Sequence, residues 1–374
     1  MPRNLLIPTV LLLAACTSGG DETANASTSI DAAPSSPAAA ARTAAPPPAP
    51  DTDSRTPAKP GALRSFGDWT VGCDNGLSCT MASLAPEDGE FPDMMVTLTR
   101  EPGPKGAISL DLSAQGEDAG DVSLAIDGSA PSIRAAKGGV GGADAQRLAS
   151  QMVNGTRLVV RDAAGTTIAT LSLKGAAAAL RYMDDRQGRV GGTTALAALG
   201  PKPAEAVPAA PPLPVVVSPK PGGTAATLTK AALAALRKRA GCDLEGVGVS
   251  QDPEISALGD GKSLIVLPCS AGAYNLIAAL FVTDGKSTEP ARMDVASGMG
   301  PIDEQTGIPD VVNGGFEDGV LTSYAKGRGI GDCGITQSFV WDGSRFRLVE
   351  QSEMGECRGN PEFITTWRAR VVRR

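Results

Sequence analysis

The octapeptide GRGIGDCG, Gly327–Gly334, decides how the second half of this chain folds. Glycines at this density either cradle a phosphate at the start of a helix, as in a parallel α/β sheet, or let the backbone turn sharply into a strand. The spacing Gly327-x-Gly329-x-x-Asp332 lacks the third glycine of the dinucleotide fingerprint. The next residues, Ile335 to Trp341, have the composition of a strand, so no helix N-terminus stands ready for a pyrophosphate. The stretch therefore reads as a turn into a strand that Cys333 pins to Cys357.

Working outward, that strand meets Asp342-Gly343, a two-residue hairpin signal. Pairing Trp341 with Ser344 would set Phe339 opposite Phe346 and Gln337 opposite Leu348. Phe339, Trp341, Phe346 and Leu348 would then share one face. A terminal strand is expected to turn Phe363, Trp367, Ala369 and Val371 inward, with Arg368 and Arg370 on its other side. Further strands are predicted at Leu264–Leu267, Ala273–Val282 and Val320–Ala325. Before them LTKAALAALRKRAG reads as a helix. Thr229 caps it, Leu228 staples against Leu233, Arg237, Lys238 and Arg239 lie in the last turn, and Gly241 supplies the left-handed stop.

The preceding half repeats the β signal. Trp69, Val71 and Cys73 alternate, Asp74-Asn75-Gly76 turns, and Cys79 returns. Alternation recurs at Ile108, Leu110, Leu112 and at Val122, Leu124, Ile126. Two more strands, Arg157–Arg161 and Thr167–Leu173, flank the turn Ala163-Ala164-Gly165. A short helix capped by Asp144 would carry Leu148 and Met152, and Ala176–Arg186 is alanine-rich with Leu180 and Met183 on one face. The fold class expected is α+β: two mainly antiparallel β domains with few helices, stapled by disulfides, after a disordered tether.

The ends and composition set the boundaries. Residues 1–15 read as a lipoprotein signal peptide, with one cation at Arg3, an apolar run, and Leu13-Ala14-Ala15 before Cys16. Cys16 would carry the lipid, and Thr17 after it resembles lipoproteins passed to the outer membrane. Residues 16–62, rich in Ala, Pro, Ser and Thr, read as a disordered tether. A β-rich domain at 63–198 and an α+β domain at 224–374 are separated by a proline-rich spacer at 199–223. Six cysteines remain after Cys16, an even number in an exported chain. Two fall in the first domain and four in the second, and the expected pairs are Cys73 with Cys79, Cys242 with Cys269, and Cys333 with Cys357.

Function is narrowed mainly by exclusion. From 64 to 198 the chain carries 12 cations against 16 anions, and from 224 onward 16 against 19, so a nucleic-acid partner is not expected. The chain has no histidine, which removes Ser-His-Asp and Cys-His catalysis and the commonest zinc ligand. No motif implies a cofactor or a metal site. The acidic stretch PIDEQTGIPDVVNGGFEDG gathers Asp303, Glu304, Asp310, Asn313, Glu317 and Asp318 without the EF-hand spacing, and reads as a solvated loop. Asp332, Glu353 and Glu356 could form a carboxylate pair for glycoside cleavage if the hairpin gathers them. Arg328 and Arg358 lie beside paired cysteines and, with Asp332, form a candidate anionic-ligand corner.

These same residues carry a resemblance. FGDWTVGCDNGLSC, PCSAGAYN, GRGIGDCG followed by FVWDGSRFRLV, and ECRG before Trp367 resemble the bacterial domain-of-unknown-function family 1176, over roughly residues 64 to 374. The first part, about 66 to 190, also resembles the invasion-associated locus B family of secreted bacterial proteins. Neither resemblance supplies a reaction or a catalytic residue. Two readings of function stand: an outer-membrane-anchored periplasmic lipoprotein acting as a non-enzymatic binding or envelope-maintenance module toward an envelope protein or glycan, or a carboxylate-dependent hydrolase of envelope glycans.

Overall fold

The computed structural model describes residues 53–374, apart from positions 88, 90, 92, 115, 116, 131, 245–247, 299 and 303. The segments expected as signal peptide and tether, with Cys16, lie outside the described residues as far as residue 52. No described helix is long and apolar enough to cross a membrane.

Alternation in the first half builds two antiparallel sheets. Strands Arg64–Phe66, Trp69–Cys73, Cys79–Ser83, Met95–Arg100 and Ile108–Ala114 follow one another as a meander. A second sheet orders Thr167–Ser172, Arg157–Arg161, Val122–Ile126 and Ile133–Ala135. Two helices, α1 (Gly142–Met152) and α2 (Ala176–Arg186), bury Leu148, Met152, Leu180 and Met183 against them. Trp69 is fully buried in this core, and its indole N–H donates to Ser172 O at 3.0 Å, tying one sheet to the other. Asp144 does not cap α1. The strand Gly139–Gly141 runs straight into the helix, which places Asp144 in the first turn, where the dipole favours a carboxylate and Arg147 pairs with it at 2.6 Å.

In the second half Leu264–Leu267 is continuously apolar because both faces of its strand are covered. Leu264 and Val266 face a core with Leu280, Phe339, Trp341, Phe346 and Trp367. Ile265 and Leu267 face α3 (Lys230–Arg239) through Leu236 and Phe281. The Thr229 hydroxyl accepts from Ala232 N at 3.1 Å, Leu228 and Leu233 pack on the same cluster, and Gly241 takes φ +63°. Two antiparallel sheets result. One contains Glu254–Gly259, Lys262–Ala271 and Leu276–Thr283; the other runs Phe316–Glu317, Val320–Lys326, Gly334–Trp341, Phe346–Met354 and Ile364–Arg368.

The hairpin register differs from the two-residue expectation. Trp341 pairs with Phe346 and Phe339 with Leu348, leaving the four-residue loop 342–345. The Asp342 carboxylate explains it, accepting from the amides of Ser344 and Arg345, each at 2.8 Å, and so stabilising a wider turn. A slip of two preserves facing, so the four large side chains still share one core. The terminal strand differs too. Thr366 is an extra residue in its pairing, a bulge that shifts the alternation and puts Ile364 rather than Phe363 fully inside.

The two halves meet. Leu63, Ala82 and Leu84 pack with Cys333, Met354, Phe363 and Ile364. Asn75 and Arg368 exchange backbone-directed hydrogen bonds at 3.0 and 2.8 Å, and the Arg368 guanidinium binds Asp74. Within 199–223, expected as a spacer, Val215–Ser218 pairs in parallel with Arg370–Arg373. Residues 53–58, expected as tether, lie along the second half. Ser54 N donates to Val215 O at 2.7 Å, Arg347 donates to Ser54 O at 2.6 Å, and Ala58 enters its core.

Candidate functional site

The loop between Val320–Lys326 and Gly334–Trp341 is held from every side. Gly327 N donates to Cys333 O at 2.9 Å, and Gly331 N to Arg328 O at 3.1 Å. Tyr274 donates to Gly327 O at 2.9 Å and Tyr324 to Gly331 O at 2.8 Å. The Cys333–Cys357 disulfide fastens its base. Two glycines are required by this closeness. A Cβ on Gly327 would stand 2.6 Å from Cys333 Sγ, and Gly331 has φ +76° with the Tyr324 hydroxyl 2.8 Å from where its Cβ would be. A strand follows the loop, and its glycines serve close packing. The other two disulfides join Cys73 to Cys79 and Cys242 to Cys269.

Of the candidate ligand residues, Arg328 and Asp332 come together, and Arg358 turns elsewhere. Arg328 grips Asp332 through two nitrogens, with Nε to Oδ1 at 2.7 Å, while Gly359 N donates to the same carboxylate at 2.6 Å. Burial alone would raise the Asp332 carboxyl, but these hydrogen bonds hold it below the ordinary carboxylate value. The hydrogen bond to Asp332 in turn raises the Arg328 guanidinium. Arg358 donates to Ala85 O at 2.6 Å, to Gly67 O at 2.9 Å and to Asp68 at 2.7 Å, all in the first half. Its guanidinium is a clamp between the halves, and neither arginine presents an empty fork.

The three carboxylates weighed for glycoside cleavage have separate environments. Asp332 is fixed in its ion pair and Glu356 accepts from the Ser65 hydroxyl at 2.7 Å. Burial raises the Glu353 carboxyl. In the acidic stretch, Asp303 lies outside the described residues, Asp310 accepts from Ser297 at 2.6 Å, and Asn313 donates to Asn275 and to nearby carbonyls. Among the described residues no group of histidine, cysteine or carboxylate side chains is gathered as a metal site would require.

What sequence reasoning missed is the apolar surface around this loop. Ile330 at the loop tip is 68% exposed, Phe91 51% and Tyr274 40%. Arg328 lies 4.9 Å from the centroid of the Phe91 ring, and the Tyr274 ring is 3.7 Å from where a Cβ on Gly329 would be. Phe91 thus lies against Arg328, Tyr274 against Gly329, and Ile330 at the tip, three exposed large side chains gathered at one disulfide-fastened loop. A signal did exist in the sequence. Phe91 is the single aromatic in the acidic run PEDGEFPD, and Ile330 stands between glycines with no alternating partner.

A model of the family described as "Protein of unknown function (DUF1176)" matches residues 63–370, and the chain belongs to that family. It is similar to the uncharacterized protein YpfG of Escherichia coli (strain K12), 29% identical over 336 residues that cover 82% of this chain and 92% of that protein. It is also similar to the crystal structure of invasion associated protein b from Bartonella henselae, with 14% identity and a TM-score of 0.26. That match covers 34% of this chain and 99% of the other.

Proposed function

We propose that this member of the DUF1176 family is a non-enzymatic binding module of the bacterial envelope, an outer-membrane lipoprotein facing the periplasm that docks a protein partner on the loop Gly327–Cys333. The observation that carries the reading is the exposure of Ile330 on a loop fixed by a disulfide and four hydrogen bonds, with exposed Phe91 against its Arg328 and exposed Tyr274 against its Gly329. Aromatic and arginine anchors dominate protein interfaces, and burying apolar surface yields roughly 25 cal/mol per Å². A loop already fixed loses little further entropy when it docks. Lipid on Cys16 and the Pro/Ala-rich segment after it would hold the module at the membrane and give it reach.

Glycan hydrolysis has weaker support, since Asp332 is locked to Arg328 and cannot serve as a free acid or base. The test is in-cell crosslinking of the full-length protein carrying Ile330→Asp or Phe91→Ser. Both sites face solvent, so both variants should melt as the parent does while losing the crosslinked partner. Retention of the same crosslinked product by both would refute the platform.

A further inference from the structure

A second, chemically different recess lies between two turns of similar composition, one of them at the opposite end of the strand Gly334–Trp341 from that loop. Asp284-Gly285-Lys286-Ser287 forms one rim and Asp342-Gly343-Ser344-Arg345 the other. In each, the aspartate accepts from backbone amides and from the serine: Asp284 Oδ1 from Lys286 N and Ser287 N at 2.8 and 2.7 Å, Asp342 Oδ1 from Ser344 N and Ser344 Oγ, both at 2.8 Å. These turns fix a serine hydroxyl at each edge of a recess of about 220 Å³ floored by Val282 and Trp341.

Two cations line it. Lys262 lies 5.4 Å above the Trp341 ring and donates to Gly343 O at 2.9 Å, which uses one of its three N–H groups. Arg292 lines the same recess, and its exposed side chain has no ion-pair or hydrogen-bond partner among the described residues. The two carboxylates present are partly engaged, Asp284 by its own turn and Glu289 by Arg239 at 3.3 Å. They retain lone pairs suited to neutral hydroxyl donors but make a poor pair for an ammonium.

We infer that this recess binds a small hydroxylated carboxylate of the sugar-acid class, its carboxylate taken by Lys262 and Arg292 and its hydroxyls by Ser287, Ser344 and the free oxygens of Asp284 and Glu289. The volume, below the roughly 300 Å³ of drug-sized pockets, suits one ring. Charge-assisted hydrogen bonds to a carboxylate carry the selectivity over a neutral sugar, and the shallow setting makes them sensitive to salt.

The probe is D-glucuronate, titrated calorimetrically into the folded protein beside D-glucose. Saturable glucuronate binding is expected, with glucose and the Arg292→Ala variant each weaker by about tenfold or more, because a charged hydrogen bond is lost in both. The Arg292 side chain has no partner among the described residues, so Arg292→Ala should melt as the parent does. Ile330→Asp should leave glucuronate binding unchanged, which separates this recess from the docking loop. Absence of saturable glucuronate binding by the folded parent, equal affinity for glucose, or indifference to Arg292→Ala would each overturn the assignment.

Discussion

Replacing Arg347 by leucine tests how residues 53–58 are held. Its guanidinium is 7% exposed and serves three carboxylates and two carbonyls. Nε donates to Asp294 at 3.1 Å, Nη1 faces Asp53 at 3.5 Å and Asp342 at 3.6 Å, and Nη2 donates to Ser54 O at 2.6 Å and Thr56 O at 3.4 Å. Losing one partner of a buried pair costs about 3–5 kcal/mol, because the other charge is left uncompensated. Asp342 keeps its turn hydrogen bonds and Asp294, 4% exposed, keeps the Leu348 amide at 2.9 Å, so the lower end, ~3 kcal/mol, applies. With a urea m-value at or above about 3 kcal/mol/M, the upper end for small proteins, as expected for a chain of this size, the midpoint should fall by up to about 1 M. Limited proteolysis should at the same time cut between residues 53 and 62, where the parent resists. Adding Asp294→Asn should recover part of the loss, since the stranded charge is what is costly. An Arg347→Leu midpoint equal to the parent's, or a double variant weaker than the sum of the two singles, would refute the reasoning.

Converting both Cys333 and Cys357 to serine should lower stability by about 2–4 kcal/mol in chemical unfolding, as expected for a bridge across a sequence separation of 24. Crosslinking to the partner should fall with it as the loop loses its anchor. Burial raises the Glu353 carboxyl above its ordinary 4.5. Its contribution to stability is therefore complete below that ordinary value and is lost as pH rises through the raised one, so Glu353→Gln should raise the melting temperature near neutral pH and leave it unchanged in acid. Cys16→Ser should move the protein from the membrane fraction to the soluble fraction, as read by fractionation and blotting; unchanged sedimentation would rule out the lipid as the retaining force.

Short-range physics was legible in the chain itself. The period-two runs at Trp69–Cys73 and Val122–Ile126, the Thr229 cap, the basic last turn of α3 and the Gly241 stop each depend on neighbours within a few residues, so the sequence contains all that decides them. The reading of GRGIGDCG as a turn also rested on local grounds, the missing glycine and the strand after it. Tertiary structure decided matters that depend on residues hundreds of positions apart. Arg358 reads as a surface cation until Ala85, Gly67 and Asp68 surround it, and residues 53–58 read as tether until Arg347 and the strand Val215–Ser218 supply partners. Exposure is of the same kind. Ile330 and Phe91 are ordinary hydrophobic residues in the sequence, and only the folded chain leaves them outside while Ala82 and Leu84 of one half bury Cys333, Met354 and Ile364 of the other, because burial is a property of the whole surface rather than of any one segment.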